Sequence, residues 1–182
     1  MYAPKAYQSY HAKIEALSQR YPALIRNFPR SIFSAASFNF LPNAFSLPHV
    51  DHGNRAAGFC PIFSVGNFNY RRGGHLVLDD QHLVIEFPAG CKIAIPSASC
   101  KHGNIPDQTH ETCASFTQYA AGGLSRYVEH GFKTWKQLKA SDPVHTARME
   151  KGWDTRWLRE LDIFSKVNEH HEDRVRVGIV TV

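Results

Sequence analysis

The chain has 182 residues, 43% of them hydrophobic, with a formal net charge of +5. That length buries one sizeable core and shows no second hydrophobic block, so a single domain over 1–182 is expected. No apolar run approaches the roughly 20 residues a membrane-spanning helix needs, which excludes a membrane partner of that kind.

In chain order, the first predicted element is a helix over 7–24, where Tyr10, Ile14, Leu17 and Tyr21 recur at spacings of three and four. From residue 31 the pattern changes to short runs bounded by Pro, Gly and Asn. These predict about eight strands, at 32–40, 44–50, 58–65, 75–78, 82–87, 92–96, 99–104 and 114–120. Turn signals separate them, among them Leu41-Pro42-Asn43, Arg72-Gly73-Gly74, Phe87-Pro88-Ala89-Gly90 and Ala121-Gly122-Gly123. Short, evenly spaced strands favour a sandwich or jelly-roll barrel over a parallel sheet. The expected fold is therefore mainly β with flanking helices: a double-stranded β-helix of the jelly-roll, cupin-like kind, with its β core at about 31–120. Helices follow at about 133–168. They comprise 135–138 and 144–164, with Asp142 as N-cap before the first-turn Pro143. Trp153, Trp157, Leu161 and Phe164 are expected to press an aromatic stripe onto the outer sheet. In the tail over 172–182, Val175, Val177 and Ile179 alternate with Arg176 and Gly178, a pattern open to an edge strand, a dimer contact or a loose tail.

The four cysteines, Cys60, Cys91, Cys100 and Cys113, form no CxxC pair and no zinc-ribbon spacing, and no secretory apolar segment is evident. They are read as reduced thiols of an intracellular protein. The positive charge is spread along the chain, with Arg71-Arg72 and Arg174-x-Arg176 as small basic clusters, so solubility explains it as well as an anionic partner does.

The chemistry points to His49, Asp51 and His102. On an extended segment side chains alternate, so His49 and Asp51 share a face while Val50 turns away. A third ligand about fifty positions on, within Cys100-Lys101-His102-Gly103-Asn104, completes two imidazoles and one carboxylate. Such a facial set leaves three positions of an octahedral metal open, as a non-haem Fe(II) centre requires for O2 and substrate. Eleven histidines make chance His/Asp pairs common. A lone buried histidine is more often a hydrogen-bonded core group, and Asp51 alone would serve to cap a turn. Taken as an ordered set in a predicted β-barrel, the metal site is preferred, with iron ahead of zinc. His52, His75, His82 and His110 are the competing imidazoles. Asn54 and Asn39 are candidates to orient a bound acid or O2. Phe59, Phe63, Phe68 and Tyr70 are candidates to hold a small aromatic or apolar metabolite, with ordinary core filling as the alternative.

Over about 27–167 the sequence resembles the fungal TET/JBP-like Fe(II)/2-oxoglutarate dioxygenase domains. The motifs that carry the resemblance are Arg26-Asn27-Phe28-Pro29-Arg30-Ser31, Phe38-Asn39-Phe40, His49-x-Asp51-x-x-Asn54 and Gly73-Gly74-His75-Leu76-Val77-Leu78. Val84-Ile85-Glu86-Phe87-Pro88, Ile95-Pro96-Ser97-Ala98, Ser115-Phe116-Thr117-Gln118-Tyr119 and Ala121-Gly122-Gly123-Leu124 extend it. The resemblance implies a double-stranded β-helix with His49, Asp51 and His102 as iron ligands. It also implies an RxS motif whose Arg grips the distal carboxylate of 2-oxoglutarate; here that motif reads Cys113-Ala114-Ser115, so only the serine remains. Leaving a desolvated carboxylate without its cation costs about 3–5 kcal/mol, or about two to four powers of ten in affinity. Weak or absent 2-oxoglutarate binding is the expectation.

Three outcomes follow. Another cation, Arg126, Arg55, Arg71 or Arg72, replaces the missing one; or the cosubstrate is dropped and a small organic substrate supplies all the electrons; or the domain binds metal or a partner without turnover. The second ranks first because the ligands remain while the anchor does not. The third trails, since a decaying site would lose its ligands as readily as its arginine. Expected partners are a small-molecule substrate and O2; a modified nucleic-acid base is the substrate class suggested by the TET/JBP likeness.

Overall fold

The computed structural model describes residues 3–40 and 44–178. Its contacts divide the chain into two compact units, one of residues 34–121 and one of the segments before and after them.

The first unit is built from seven strands: β1 (Ala35–Asn39), β2 (Cys60–Asn67), β3 (Leu76–Leu78), β4 (Leu83–Ile85), β5 (Lys92–Ile95), β6 (His102–Asn104) and β7 (Thr112–Tyr119). They form a four-stranded sheet in the order β1-β7-β2-β5 and a three-stranded sheet in the order β4-β3-β6. All pairings are antiparallel. The predicted strand at 44–50 pairs through one bridge, His49 with His102, which adds it beside β6 as a fourth position of the smaller sheet. The chain thus passes back and forth between two sheets, the topology of a jelly roll, and the fold is a double-stranded β-helix.

Leu76 and Leu78 from β3, Ile95 from β5, Phe87 and Cys100 form the buried core between the sheets, with Ile62, Ile85 and Ile93 packed against it. Leu76, Leu78, Ile95 and their strand neighbours are inward positions of alternating strands, while Phe87 and Cys100 come from the loops between them. Several strands are shorter than predicted for a local reason: the run at 82–87 begins at Leu83 because His82 adopts a left-handed conformation (φ 53°) that closes the turn after β3. The predicted turn at Leu41-Pro42-Asn43 lies outside the described residues.

The second unit is helical. Its first helix, α1, spans Pro4–Arg20 rather than 7–24. Pro4 supplies the preset φ of a first helical position, and Pro22 pushes Tyr21 out of the helical region (φ −130°, ψ 77°). Tyr10 and Leu17 are buried as the periodicity predicts. Tyr10 meets Phe33 edge-on at 5.6 Å. The helix α2 (Gly122–Glu129) was hidden in sequence by its two leading glycines.

The predicted helix over 144–164 is interrupted. Following α3 (Trp135–Ser141), α4 (Pro143–Lys151) starts on Asp142, whose side chain accepts from the His145 N–H at 2.9 Å, and stops at Gly152; α5 covers Arg156–Leu161. Trp153, Trp157 and Leu161 are each about half exposed, at 51%, 59% and 49%, so the expected aromatic stripe is not a buried face. Over 170–176 the predicted tail is helix α6 (His170–Arg176), with acidic residues in its first turn and basic ones in its last, as a helix dipole favours. Its end, 179–182, lies outside the described residues. Asp173 of α6 is 2% exposed and pairs with Lys5 of α1 at 3.3 Å. No described helix is long and apolar enough to cross a membrane.

Candidate metal centre

His49 and His102 stand opposite one another in a hydrogen-bonded antiparallel pair, each N–H donating to the other's carbonyl, at 2.8 and 2.9 Å. Their rings lie side by side, with centroids 4.5 Å apart. Gly103 makes this approach feasible: a Cβ there would sit 2.9 Å from the Ser46 carbonyl oxygen and 3.1 Å from the Pro48 nitrogen. A side chain at that position would lever the His49 segment off β6.

Asp51 completes the cluster. Its Oδ1 is 3.5 Å from His49 Nε2 and its Oδ2 is 4.0 Å from His102 Nε2. One donor atom from each residue lies within 4.8 Å of the others, and this is the one group of three or more such residues among those described. An ion held by all three at about 2.1 Å would draw neighbouring donors to about 3 Å apart, so loading requires a small contraction. His102 is buried (side chain 8% exposed), whereas the His49 and Asp51 side chains are 45% and 31% exposed, leaving one side of the cluster open.

The surrounding bonds set the tautomer of both rings. His49 Nδ1 donates to the Leu47 carbonyl at 2.8 Å, and His102 Nδ1 donates to the Cys100 carbonyl at 2.9 Å. A carbonyl can only accept, so each neutral ring carries its proton on Nδ1 and turns an Nε2 lone pair towards Asp51. The carboxylate is braced in turn: Asn54 Nδ2 donates to Asp51 Oδ2 and to Ser97 Oγ, both at 3.1 Å, and the Asp51 N–H donates to the Ser97 carbonyl at 2.9 Å. Asn54 therefore touches a candidate ligand. Ser97, 1% exposed, was not singled out from sequence, because nothing in Ile95-Pro96-Ser97 marks it as a brace.

The cluster lies on the wall of a cavity of about 660 Å³, contained within the β unit and lined from both sheets. Ser115 lines it too and accepts a hydrogen bond from Asn39 at 2.8 Å. The aromatic side chains on the wall are Phe40, Phe45, Phe87 and Tyr119; Phe59, Phe63, Phe68 and Tyr70, the predicted set, are not among the described lining residues. Phe68 instead packs over Gly74, and Phe63 is 39% exposed. No Lys or Arg lines the cavity among the described residues. Arg55 is buried, Arg71 lies over the Tyr70 ring, and Arg126 lies on α2 of the helical unit, in a separate pocket with His130, Trp135 and Arg156. Cys113 does line the cavity; burial, and next the Asp107 carboxylate beside it, push its thiol up to about 12. Cys60, across the wall near Asp51, is likewise pushed up by burial, to about 11. All four cysteines are free.

The sequence matches no protein-family model and no curated protein. Among solved structures, the backbone is similar to NgTET1 in complex with 5mC DNA, with a TM-score of 0.48 and 17% identity over 63% of this chain. The match covers 48% of that chain, so this protein spans about half its length. It is also similar to the viral collagen prolyl hydroxylase vCPH from Paramecium Bursaria Chlorella virus-1 in its 2OG complex, with a TM-score of 0.35 and 12% identity over 60% of this chain and 70% of that one. Similarities of this size concern the course of the backbone and carry no chemistry across.

Proposed function

We propose that the protein is a non-haem Fe(II) dioxygenase that oxidises or cleaves a small organic substrate with O2 and does not depend on 2-oxoglutarate. One observation carries this: two Nε2 lone pairs and one braced carboxylate converge at the edge of a cavity large enough for a small molecule. The donor set fits iron. Two neutral imidazoles and a carboxylate match a facial N2O site, and the Leu47 and Cys100 carbonyls already hold the tautomer that metal binding needs.

The residues present do not fit 2-oxoglutarate. A dicarboxylate in this cavity meets no cationic side chain among the described lining residues, and behind the lining Cys113 lies the carboxyl of Asp107. An acidic cosubstrate there is opposed rather than anchored.

When bound, Fe(II) supplies the binding and reduction of O2. The rest of the work falls to the chain: His49, Asp51 and His102 would hold the ion from one side, Asn54 and Ser97 keep the Asp51 carboxylate turned to it, and Ile62, Leu76 and Phe87 supply the apolar part of the cavity wall. A reaction in which both oxygen atoms enter one substrate balances without a second reductant, because that substrate gives up all four electrons.

Anaerobic titration of the apoprotein with Fe(II), followed by 2-oxoglutarate, tests the proposal. Stoichiometric Fe(II) binding with no charge-transfer band at millimolar 2-oxoglutarate is expected. A band would establish the cosubstrate-dependent alternative, acting on a modified base or otherwise, and failure to bind Fe(II) would leave only a binding module.

A further inference from the structure

Arg126 and His130 stand four residues apart and Trp153 and Arg156 three apart, spacings that put each pair on one face of a helical turn. Both pairs line a single pocket of about 300 Å³ in the helical unit, together with Trp135 at the start of α3 and Met149 of α4. The Trp135 and Trp153 ring centroids lie 5.6 Å apart with their planes at 47°, and His130 lies 5.6 Å from Trp135. Trp153 is nonetheless 51% exposed, so this packing leaves much of its indole for another partner. Burial lowers the His130 pKa; Glu129 opposes this, and the Arg156 and Arg126 charges add to it, so both guanidiniums act on the pocket. Glu129 is shared, its Oε1 taking Lys13 Nζ at 3.0 Å and its Oε2 taking Arg156 at 3.5 Å. Among the described residues no carboxylate pairs with the exposed Arg126. These three cations and one carboxylate leave two positive charges without a counter-charge.

We propose that this pocket binds a small aromatic phosphate of the nucleoside-monophosphate kind, its planar ring on the Trp153 indole and its phosphate between Arg126 and Arg156. The site shares no described lining residue with the cavity of the metal centre, and it does not rest on the oxygenase assignment. Each part of the ligand answers a feature of the wall. The planar fork of a guanidinium matches phosphate oxygens two at a time, and two uncancelled positive charges match a dianion. An indole face takes a flat ring, and the Met149 thioether adds a polarizable neighbour. A neutral aromatic molecule leaves the guanidiniums unused, and an aliphatic phosphate leaves the indole bare. The volume is at the low end of the roughly 300–1,000 Å³ of ligand pockets, which favours a small ligand.

Calorimetry on the metal-free full chain, with tryptophan fluorescence alongside, tests this with AMP and its two parts, adenosine and ribose 5-phosphate. AMP is expected to bind at least about tenfold more tightly than either part and to quench the tryptophan emission. Arg126→Gln, at an exposed position, should bring AMP down to the affinity of adenosine. Trp153→Ala should bring it down to that of ribose 5-phosphate, and Trp153→Phe, which keeps a ring, should restore most of the loss. Arg126→Gln alone decides if the alanine variant does not fold. No AMP binding at low millimolar concentration, a part that binds as tightly as the whole, or AMP affinity unchanged in either Arg126→Gln or Trp153→Ala would overturn the proposal.

Discussion

Asn54 lines the cavity beside the cluster, and its carboxamide restrains the carboxylate that two histidines face. Removing such a brace leaves the ligand free to turn, and the usual cost is about ten- to a hundredfold in metal affinity. Asn54→Ala is therefore expected to weaken Fe(II) binding by that factor while its melting temperature without metal stays near wild type. Unchanged affinity would show that the Ser97 backbone contact suffices. The place of Asn54 near the cluster was legible through the His49-x-Asp51-x-x-Asn54 spacing, but the role expected of it was to orient a bound acid or O2, not to hold Asp51. Asp107 was not legible. It lies in Ile105-Pro106-Asp107, which carries no motif, and it meets Gly74 and Cys113 of β7 only in the folded chain.

Among the elements, β6 determines whether the centre exists. It carries His102, pairs with β3 through its other edge, and accepts the His49 segment by a single bridge. Gly103→Val is expected to separate that segment from β6 and lower Fe(II) affinity by at least tenfold, with far-UV circular dichroism still showing the sheets. Retained affinity would mean that the 44–50 segment follows the strand outward. The strands were readable from sequence because inward residues alternate and turns carry Gly and Pro. Their ends were less so, since His82 and the one-bridge segment depend on partners distant in the chain. The helices were misjudged where local preference and packing disagree: α2 begins with two glycines yet buries Gly122 and Ser125, and Val175, the first of the alternating residues near the end, belongs to a helix stabilised by charges at its ends.

Over the whole molecule, metal and stability are linked. An ion that binds the folded chain alone adds about 2.7 kcal/mol at a hundredfold excess over its dissociation constant. For a chain of this size that corresponds to a rise of about 5–10 °C in Tm. Anaerobic melting with and without Fe(II) should show it in the wild type and not in His102→Ala; an equal rise in both would place the ion elsewhere.

The two units differ in how their chains are laid down. The β unit is one uninterrupted stretch, while the helical unit joins α1 to α6, as in the Lys5–Asp173 pair, across more than 160 positions. During synthesis from the N-terminus the strands can close as soon as residue 121 is free; α1 gains a first partner in α2, through the Lys13–Glu129 pair, and its second only when α6 emerges. A ribosome-bound chain halted before α6 would thus hold a finished β unit and an α1 already paired with α2 but still without Asp173 for Lys5.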